Sequence, residues 1–303
     1  MRLLAVVDAQ TLVDAVGLGA IYALMAVGIG LVFGVLRLVN FAYGQLVMAG
    51  AYTLAFTSGW NVVASIVACF AVVLALSFAM ELVVFRPLRT QSPAVMLVTT
   101  FAVAFFLQAV ARIVDVRDDT IGESASSLAS LRQAVSIGGV DVRKVTLVAI
   151  VVAAVTLGLL ALLLARTTLG LHMRAAAADF RTARLLGVRA DRVIGAAVLL
   201  SGLLAATVAV ILTVQAPLVT PDFALKETIV VLVGVVVGGI DRLWTATLGG
   251  FAIGFATGVI NGALPTDKTV FLPSAVFALV ILVLLLRPAG LFARGRAPVV
   301  ERT

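Results

Sequence analysis

Long apolar runs alternate with short polar connections along most of this chain. The windows 145–165 and 194–214 contain no charged residue, and each has the ~20 residues that an α-helix needs to cross ~30 Å of hydrocarbon. The whole pattern predicts eight or nine membrane segments, near residues 12–34, 40–58, 61–85, 93–114, 145–165, 193–214, 227–240, 243–262 and 271–286. The predicted fold class is an all-α polytopic membrane protein in which residues 1–303 form a single transmembrane domain.

The segments at 40–58 and 227–240 are short or interrupted by glycine, so each either crosses the bilayer as a broken helix or re-enters from one face. The triplet NFA at 40–42 opens the first, and the triplet DFA at 222–224 precedes the second. Short or interrupted segments at corresponding positions of two inverted halves often line the path of a transporter. Asn and Asp are also natural helix N-caps, and capping alone is the other interpretation of the triplets.

Composition agrees with a membrane location. The chain is 62% hydrophobic and 12% charged, whereas soluble domains are about a quarter charged. No small-residue cleavage site precedes the first long apolar run, so we expect no removable signal peptide. The first span is then its own targeting signal.

Basic residues are unevenly divided between the two sets of connections that nine spans would create. The basic set consists of Arg37, Arg86, Arg89, the six arginines of 166–193, the neutral pair Asp241 and Arg242, and Arg287, Arg294, Arg296 and Arg302. The other set, which includes the segment 112–144, is neutral to slightly acidic. Because cytoplasmic loops carry the Lys/Arg excess, we expect the N-terminus and 112–144 outside and the C-terminus in the cytoplasm. The net charge of +7 thus reflects topology, and no basic surface with interleaved aromatics indicates a nucleic-acid partner.

The chain lacks the residue sets of most catalytic sites. The phosphate-binding sequence G-x-x-x-x-G-K-[ST] is absent, so we expect no ATPase site in this chain. Cys69 is the single cysteine and His172 the single histidine, which leaves no disulfide and no metal-ligand cluster. Glu81 lies inside a predicted span about one turn before Arg86, where a snorkelling or ion-paired role is expected. We therefore predict a protein that is not an enzyme and that needs no cofactor or metal.

The stretch from Arg166 to Val193 concentrates charge in an otherwise apolar chain. Its Ala-, Arg- and Leu-rich part, His172 to Leu186, predicts one short helix outside the bilayer, and Gly187 follows where a helix C-terminus favours an αL residue. Apolar residues recur at mostly three- or four-residue spacing, at Met173, Ala176, Ala177, Phe180, Ala183 and Leu185. Small side chains on this stripe favour insertion into a partner's groove over membrane anchoring. A loop that only fixes topology is the alternative.

Four stretches of the sequence together resemble one transporter family. The segment RAAAADFRTARLLGV, at 174–188, is similar to the cytoplasmic loop of ABC importer permeases in the form typical of branched-chain amino acid permeases, where A-x-L-L-G-[IV] follows an alanine-rich segment with an Asp. Agreement in order and spacing extends to Gly17–Tyr52, to Pro221–Ile240 and to the tail ILVLLLRPAGLFARG. The resemblance covers nearly the whole chain and is closest to the LivH-type member of the permease pair.

The resemblance implies that 166–193 is a coupling-helix loop that docks into a cleft of a cytoplasmic ATPase dimer. The family motif matches Ala176, Ala177, Asp179, Ala183, Leu185, Leu186 and Gly187, and Arg174 and Arg184 at the rim are expected to pair with acidic residues of the partner. The implied partners are a second homologous permease, two ATP-binding subunits, an external substrate-binding protein and membrane lipid.

The activity that the resemblance implies is import of amino acids, above all Leu, Ile and Val, across the bacterial cytoplasmic (inner) membrane. Urea or short amides are the alternative cargo. An ion-coupled secondary transporter is the alternative class, and the shortage of acidic residues within the spans disfavours it.

The first short segment departs from the family pattern. The family usually shows N-F-A-H-G followed by an acid, whereas this chain has Asn40, Phe41, Ala42, Tyr43, Gly44 and Gln45. Both ionisable groups are absent, so a proton-linked role is not expected, while Tyr43 and Gln45 keep the hydrogen-bonding capacity that a zwitterion needs. The predicted translocation path comprises Asn40, Phe41, Tyr43, Gly44, Gln45, Asp222 and Phe223.

One later span carries a glycine every four residues on one helix face, at Gly250, Gly254, Gly258 and Gly262. Glycine lets two helix backbones approach to van der Waals contact. The partner of this face is either another helix of the same chain, which we favour, or a second permease subunit.

Overall fold

The computed structural model describes residues 9–88, 91–117, 123–124, 134–137, 140–216, 218–239 and 242–287. Both chain termini, and most of 118–139 in the predicted external segment, lie outside the described residues. The sides of the membrane expected for the two termini therefore stay predictions.

Helices account for most of the described chain. They are α1 (Ala9–Leu36), α2 (Tyr43–Phe56), α3 (Val62–Met80), α4 (Arg86–Leu88), α5 (Pro93–Arg117), α6 (Lys144–Arg166), α7 (Thr168–Ala178), α8 (Phe180–Leu185), α9 (Ala190–Gln215), α10 (Leu225–Gly238), α11 (Leu243–Ala263) and α12 (Leu272–Leu286). A π-helical turn, Glu81–Phe85, joins α3 to α4, and a 3₁₀ turn, Thr266–Phe271, precedes α12. Among the residues that the structure describes, seven helical stretches are long and apolar enough to cross a membrane.

The two remaining predicted segments, α2 and α10, are short helices of 14 residues each. At 1.5 Å per residue each is ~21 Å long, which is less than the ~30 Å of hydrocarbon. Non-helical chain precedes both, at 37–42 and at 218–224. That chain is buried at Asn40, Ala42 and Val219, as irregular backbone within a bilayer must be. Both segments are thus short helices with an irregular lead-in.

The helix ends fall into two groups at opposite ends of the bundle. At one end Thr146, in the first turn of α6, donates a hydrogen bond to Asp14 near the start of α1, with Oγ1 and Oδ1 3.0 Å apart. At the other end Arg37, just after α1, donates to the carbonyl oxygen of Ala177 in α7 at 2.6 Å. Arg37, α7 and Arg242 border one cavity, so arginine-bearing parts of three connections meet at what is here called the basic end.

Helix α1 lies at the centre of the bundle and packs against α11 through the glycine repeat. Gly250 meets Tyr22 and Ala26, Gly254 meets Gly19, Gly258 meets Ala15, and Gly262 meets Thr11. Because the α1 numbers fall as the glycine numbers rise, the helices are antiparallel. A Cβ at Gly254 would lie 2.8 Å from Gly19 Cα, so no side chain fits between the backbones. The repeat therefore serves packing within this chain.

Two short β-ladders add strands to a chain predicted as all-α. β2 (Ala134–Ile137) and β3 (Val140–Arg143) form an antiparallel hairpin within the predicted external segment. β1 (Glu123–Ser124) pairs antiparallel with β4 (Leu218–Val219), which lies between α9 and α10. The all-α prediction holds for the spans and omits these connections.

Glu81 begins the π-helical turn and is buried, with its side chain beside Gly195 of α9. A snorkelling carboxylate would reach solvent, so that part of the expectation for Glu81 is wrong. The outward faces of the bundle instead carry large apolar side chains, as a lipid-facing surface requires; examples are Val67, Phe105, Phe106, Val151 and Leu285.

Candidate functional site

The starts of the two short helices meet inside the bundle. Gly44, in the first turn of α2, faces the first turn of α10, where a Cβ at position 44 would lie 2.5 Å from Thr228 Oγ1 and 3.2 Å from the Ala224 carbonyl oxygen. From this point α10 runs to the basic end, where Gly238 lies beside the start of α11, and α2 runs the other way along α9. The positive ends of two helix dipoles therefore face one small region.

The turn that enters α2 is fixed by hydrogen bonds and by ring stacking. Asn40 Oδ1 accepts from the backbone N–H of Ala42 at 3.1 Å, and the backbone N–H of Phe41 donates to Thr100 Oγ1 of α5 at 3.4 Å. The Phe41 ring stacks on Phe101 of α5, with centroids 4.0 Å apart. Asn40 therefore orders the turn before α2, and Phe41 ties that turn to α5.

Asp222 does not cap α10. Ala224 occupies the N-cap position in the αL conformation, with φ 63° and no side-chain capping bond. The backbone N–H of Leu225 donates to the Asp222 carbonyl oxygen at 3.0 Å, so the main chain closes this turn. The interpretation of the DFA triplet as a capping signal alone therefore does not hold for Asp222. Asp222 is exposed and, with Phe223, borders a cavity of about 180 Å³ beside the start of α10.

Two polar side chains in the first turn of α2 are buried. Tyr43 is fully buried and Gln45 is 1% exposed, and neither Tyr43 OH nor Gln45 Oε1 has a hydrogen-bond partner among the residues that the structure describes. The Tyr43 ring lies against Gly28 of α1, whose carbonyl oxygen accepts from Ser201 Oγ of α9 at 2.7 Å. An unpaired buried polar group costs about 1–3 kcal/mol, so a ligand that supplies the missing partner would be stabilised here.

The single helix predicted at 172–186 is two helices, and Asp179 separates them. Asp179 has an extended backbone, with φ −151°. Its carboxylate accepts from the backbone N–H of Thr182 at 3.1 Å and from Thr182 Oγ1 at 2.5 Å. These bonds cap the start of α8 and compete with continuation of α7. The one-helix prediction is therefore wrong, because helix-favouring composition on both sides concealed a capping residue.

Gly187 ends α8 in the αL conformation that its position predicts, with φ 86°. The backbone N–H of Val188 donates to the Ala183 carbonyl oxygen at 3.0 Å, and the N–H of Gly187 donates to the Arg184 carbonyl oxygen at 3.1 Å. These two bonds form a Schellman motif. The motif fixes the direction in which the chain leaves α8.

The residues predicted for ATPase coupling divide into an inner and an outer set. In the inner set, Ala176 and Ala183 are each 4% exposed and pack within this chain. Arg174 donates to the Leu164 carbonyl oxygen of α6, and Ala177 borders the cavity at the basic end. These side chains hold α7 against the membrane helices and α8 against α7.

The outer set is exposed and consists of Asp179, Arg184, Leu185, Leu186 and Gly187. Leu185 is 88% exposed and Leu186 is 80% exposed, so two adjacent leucines project from the end of α8. Exposed leucines beyond the membrane helices are the part of this loop that a protein partner can cover without disturbing the chain's own packing.

The arrangement of helices matches a solved transporter. A structure of an ABC transporter assigned to the metal-chelate type, in an inward-facing conformation, covers 93% of this chain and 87% of its own chain with a TM-score of 0.52. The sequence identity is 18%, so this likeness shows a shared fold alone.

Sequence comparison supplies the family. Residues 11–287 match the family described as the permease component of branched-chain amino acid transport systems, and the chain belongs to that family. BraD, a high-affinity branched-chain amino acid transport system permease protein of Pseudomonas aeruginosa, is 30% identical over 305 residues, which are 97% of each chain. LivH, the corresponding permease protein of Escherichia coli K12, is 29% identical over 317 residues, again 97% of each chain. The predicted resemblance to LivH-type permeases is confirmed.

Sequence reasoning missed the residues that α1, α5, α9 and α10 contribute around the start of α2. They are Gly28, Thr100, Ser201 and Thr228. Ser and Thr in apolar helices commonly bond to their own backbone, and Thr228 Oγ1 does donate to the Ala224 carbonyl oxygen at 2.6 Å. In the sequence, the one feature that could have pointed to Thr228 as part of this site was its position one helical turn after the DFA triplet.

Proposed function

We propose that this chain is the permease subunit of an ABC importer that moves amino acids, with Leu, Ile and Val as cargo, across the bacterial cytoplasmic membrane. The observation that carries the proposal is the meeting of the α2 and α10 starts around buried Tyr43 and Gln45, in a member of the branched-chain amino acid permease family. The cargo is inferred from the systems to which BraD and LivH belong.

The chemistry of this meeting point suits a zwitterion. Two helix N-termini favour a carboxylate, and the Tyr43 hydroxyl and Gln45 carboxamide offer neutral hydrogen bonds. The residues that the structure places against the start of α2, Gly28, Thr100, Ala224 and Thr228, are uncharged. Charged side chains border the adjoining cavity instead, at Asp222, Lys226 and Glu227. A neutral lining attracts the cargo only weakly, which allows it to leave. The proposed path therefore runs past Asn40, Phe41, Tyr43, Gly44 and Gln45, with Asp222 and Phe223 at the external cavity.

The proposed topology has nine crossings, of which α2 and α10 with their lead-in turns provide two. The basic end faces the cytoplasm because cytoplasmic connections carry the Lys/Arg excess. The N-terminus and the β2–β3 hairpin are then external, and α7 and α8 are cytoplasmic.

Coupling to ATP hydrolysis is proposed to run through the exposed end of α8. Leu185 and Leu186 project into the cytoplasm in this topology, with Arg184 beside them to pair with acidic residues of the partner. The partners are two ATP-binding subunits, a second homologous permease and an external substrate-binding protein. Closure of the ATPase pair would move α8. Because α8 contacts α7, and α7 packs on α6 and α9, the membrane helices would move with it.

The coupling experiment compares the exposed leucine pair at the end of α8 with one exposed leucine of α7, in the purified, reconstituted importer. Leu185→Glu combined with Leu186→Glu is expected to abolish co-purification of the ATPases and substrate-stimulated ATP hydrolysis, because a docked apolar contact becomes two buried charges. Leu171→Glu is the matched control, since Leu171 is also an exposed leucine but precedes the motif on α7. Wild-type association of the double variant would contradict docking at this surface.

The cargo experiment uses the same importer with its own binding protein. Leucine, isoleucine or valine is expected to stimulate ATP hydrolysis and to accumulate in vesicles, whereas urea and acetamide are not. Stimulation by urea or acetamide alone would reject the amino-acid assignment and leave the permease assignment intact.

A further inference from the structure

A groove with a volume of about 660 Å³ opens at the basic end, on a different side of α1 from the meeting point of α2 and α10. Its walls are the last third of α1, the ends of α6 and α7, and the start of α11. A Cβ at Gly34 of α1 would have no atom within 4 Å. The groove therefore exists because α6 and α11 stand apart and leave the end of α1 uncovered.

The mouth of the groove is positively charged. Arg37, Arg174 and Arg242 border it, one from each of three connections. Arg37 and Arg174 are held there by hydrogen bonds to the carbonyl oxygens of Ala177 and Leu164. No acidic side chain borders the groove within the described ranges, and the deeper walls are mostly aliphatic. An occupant thus needs an anionic head and an apolar body.

The depth of the groove matches one bilayer leaflet. Its deepest α1 residue, Val27, lies nine residues before Leu36, which is ~14 Å along the helix axis at 1.5 Å per residue. One leaflet contributes about half of the ~30 Å of hydrocarbon. Trp244 at the mouth is exposed, and Trp is enriched at the level of lipid headgroups.

We propose that this groove binds an anionic phospholipid, with one acyl chain along α1 and the phosphate between the three arginines. Basic pockets between membrane helices recognise anionic headgroups. The bound lipid contacts α1, α6, α7 and α11 together and so fastens α7 to the membrane helices. Placement of the lipid in the inner leaflet follows from the proposed topology, whereas the binding itself does not depend on it.

The test is native mass spectrometry of the full-length chain in mild detergent, titrated with phosphatidylglycerol or with phosphatidylethanolamine of the same acyl chains. The wild-type chain is expected to retain phosphatidylglycerol preferentially. Arg242→Gln should weaken that binding about fivefold, the loss expected for one arginine at a lipid headgroup. Gly34→Leu should remove it by filling the groove.

Two matched controls separate this site from general lipid adhesion. Gly158→Leu also adds a side chain where a Cβ has no atom within 4 Å, at a position on α6 that is not among the residues lining the groove. Arg189→Gln removes an exposed arginine that does not border the groove. Both are expected to bind phosphatidylglycerol as the wild type does. Equal binding of the two lipids, or unchanged binding in Arg242→Gln and Gly34→Leu, would overturn the proposal.

A second measurement tests whether a protein, rather than a lipid, occupies the groove. Trp244→Cys is treated with a thiol cross-linker in native membranes, and the wild-type chain, with only the buried Cys69, gives the background. We expect no protein cross-link from position 244. An efficient cross-link to a second copy or to another subunit would show that a protein occupies the groove and would reject the lipid.

Discussion

At position 44 the space beside α10 admits a hydrogen atom and nothing larger. Gly44→Ala would bring a Cβ within 2.5 Å of Thr228 Oγ1 and 3.2 Å of the Ala224 carbonyl oxygen, so the two helix starts must separate. We expect a loss of about 1–3 kcal/mol of stability, typical of overpacking, together with loss of uptake. The readouts are transport in vesicles and thermal unfolding followed with a thiol-reactive dye, which reaches the buried Cys69 only when the chain unfolds.

The double variant Gly44→Ala with Thr228→Ala provides the internal check for this contact. Removal of the Thr228 hydroxyl frees the space that the new Cβ needs, so stability should recover in part, as expected for residues in direct contact. If Thr228→Ala gives no recovery, the clash at Thr228 is not the cause of the defect.

Position 224 is a second place where the backbone conformation restricts which residues fit without strain. Its φ of 63° lies in the αL region, which costs a non-glycine residue roughly 1–2 kcal/mol. Ala224→Gly removes this strain, which stabilises the folded chain. The greater freedom of glycine in the unfolded chain costs about 0.4–1 kcal/mol of stability. Because the first effect is the same size or larger, we expect equal or slightly higher stability. Ala224→Val should destabilise, since β-branched residues are outliers at positive φ. The same dye assay measures both, and equal losses in the two variants would argue against strain.

At the element scale, the α1–α11 pair depends on close backbone contact. Gly254→Ala would place a Cβ 2.8 Å from Gly19 Cα and from the Leu18 carbonyl oxygen, so we expect a net loss of about 1–3 kcal/mol from overpacking. Gly262→Ala meets only the side chain of Thr11, which can rotate, and it gains up to ~1 kcal/mol of helix propensity. Thermal unfolding should therefore separate the two variants. Equal stability would mean that α1 and α11 are not held at this distance in solution.

The spans were predictable from the sequence because each is a continuous run of about 20 mostly apolar residues, whether its side chains face the bundle or its outer surface. The helix end at Gly187 was predictable for a similar reason, since αL geometry favours glycine locally. The break at Asp179 was not, because its carboxylate decides the outcome by bonding to Thr182 rather than through composition. The pairing of β1 with β4 was not either, since two-residue strands from distant parts of the chain leave no periodic pattern.

Residue spacing also failed to predict which side chains of the proposed coupling loop are buried. Spacing alone placed Ala183 and Leu185 on one apolar stripe. In the structure Ala183 is buried within the chain while Leu185 is exposed, because both lie in α8 and a separation of two residues puts them on nearly opposite faces of the helix. The meeting of Gly44 with Thr228 likewise depends on the packing of α2 against α9 and of α10 against α1 and α11, which no local pattern encodes.

For the whole molecule, the proposed topology predicts which surfaces an impermeant reagent can reach. Trp60, exposed between α2 and α3, should be external, and Leu186, exposed after α8, should be cytoplasmic. In intact cells an impermeant maleimide should label Trp60→Cys and leave Leu186→Cys unlabelled, and both should react after lysis. The wild-type chain supplies a low background because Cys69 is buried. Labelling of position 186 alone in intact cells would invert the assignment.

The short ladder between β1 and β4 joins the predicted external segment to the chain that leads into α10. Glu123 pairs with Val219 and Ser124 with Leu218, only a few residues before α10 begins at Leu225. A force on β1 is therefore transmitted through the backbone hydrogen bonds of the ladder to β4, and from β4 to the chain that leads into α10. If a protein docks on the predicted external segment, we expect the ladder to transmit its displacement to the start of α10, which lies beside Gly44.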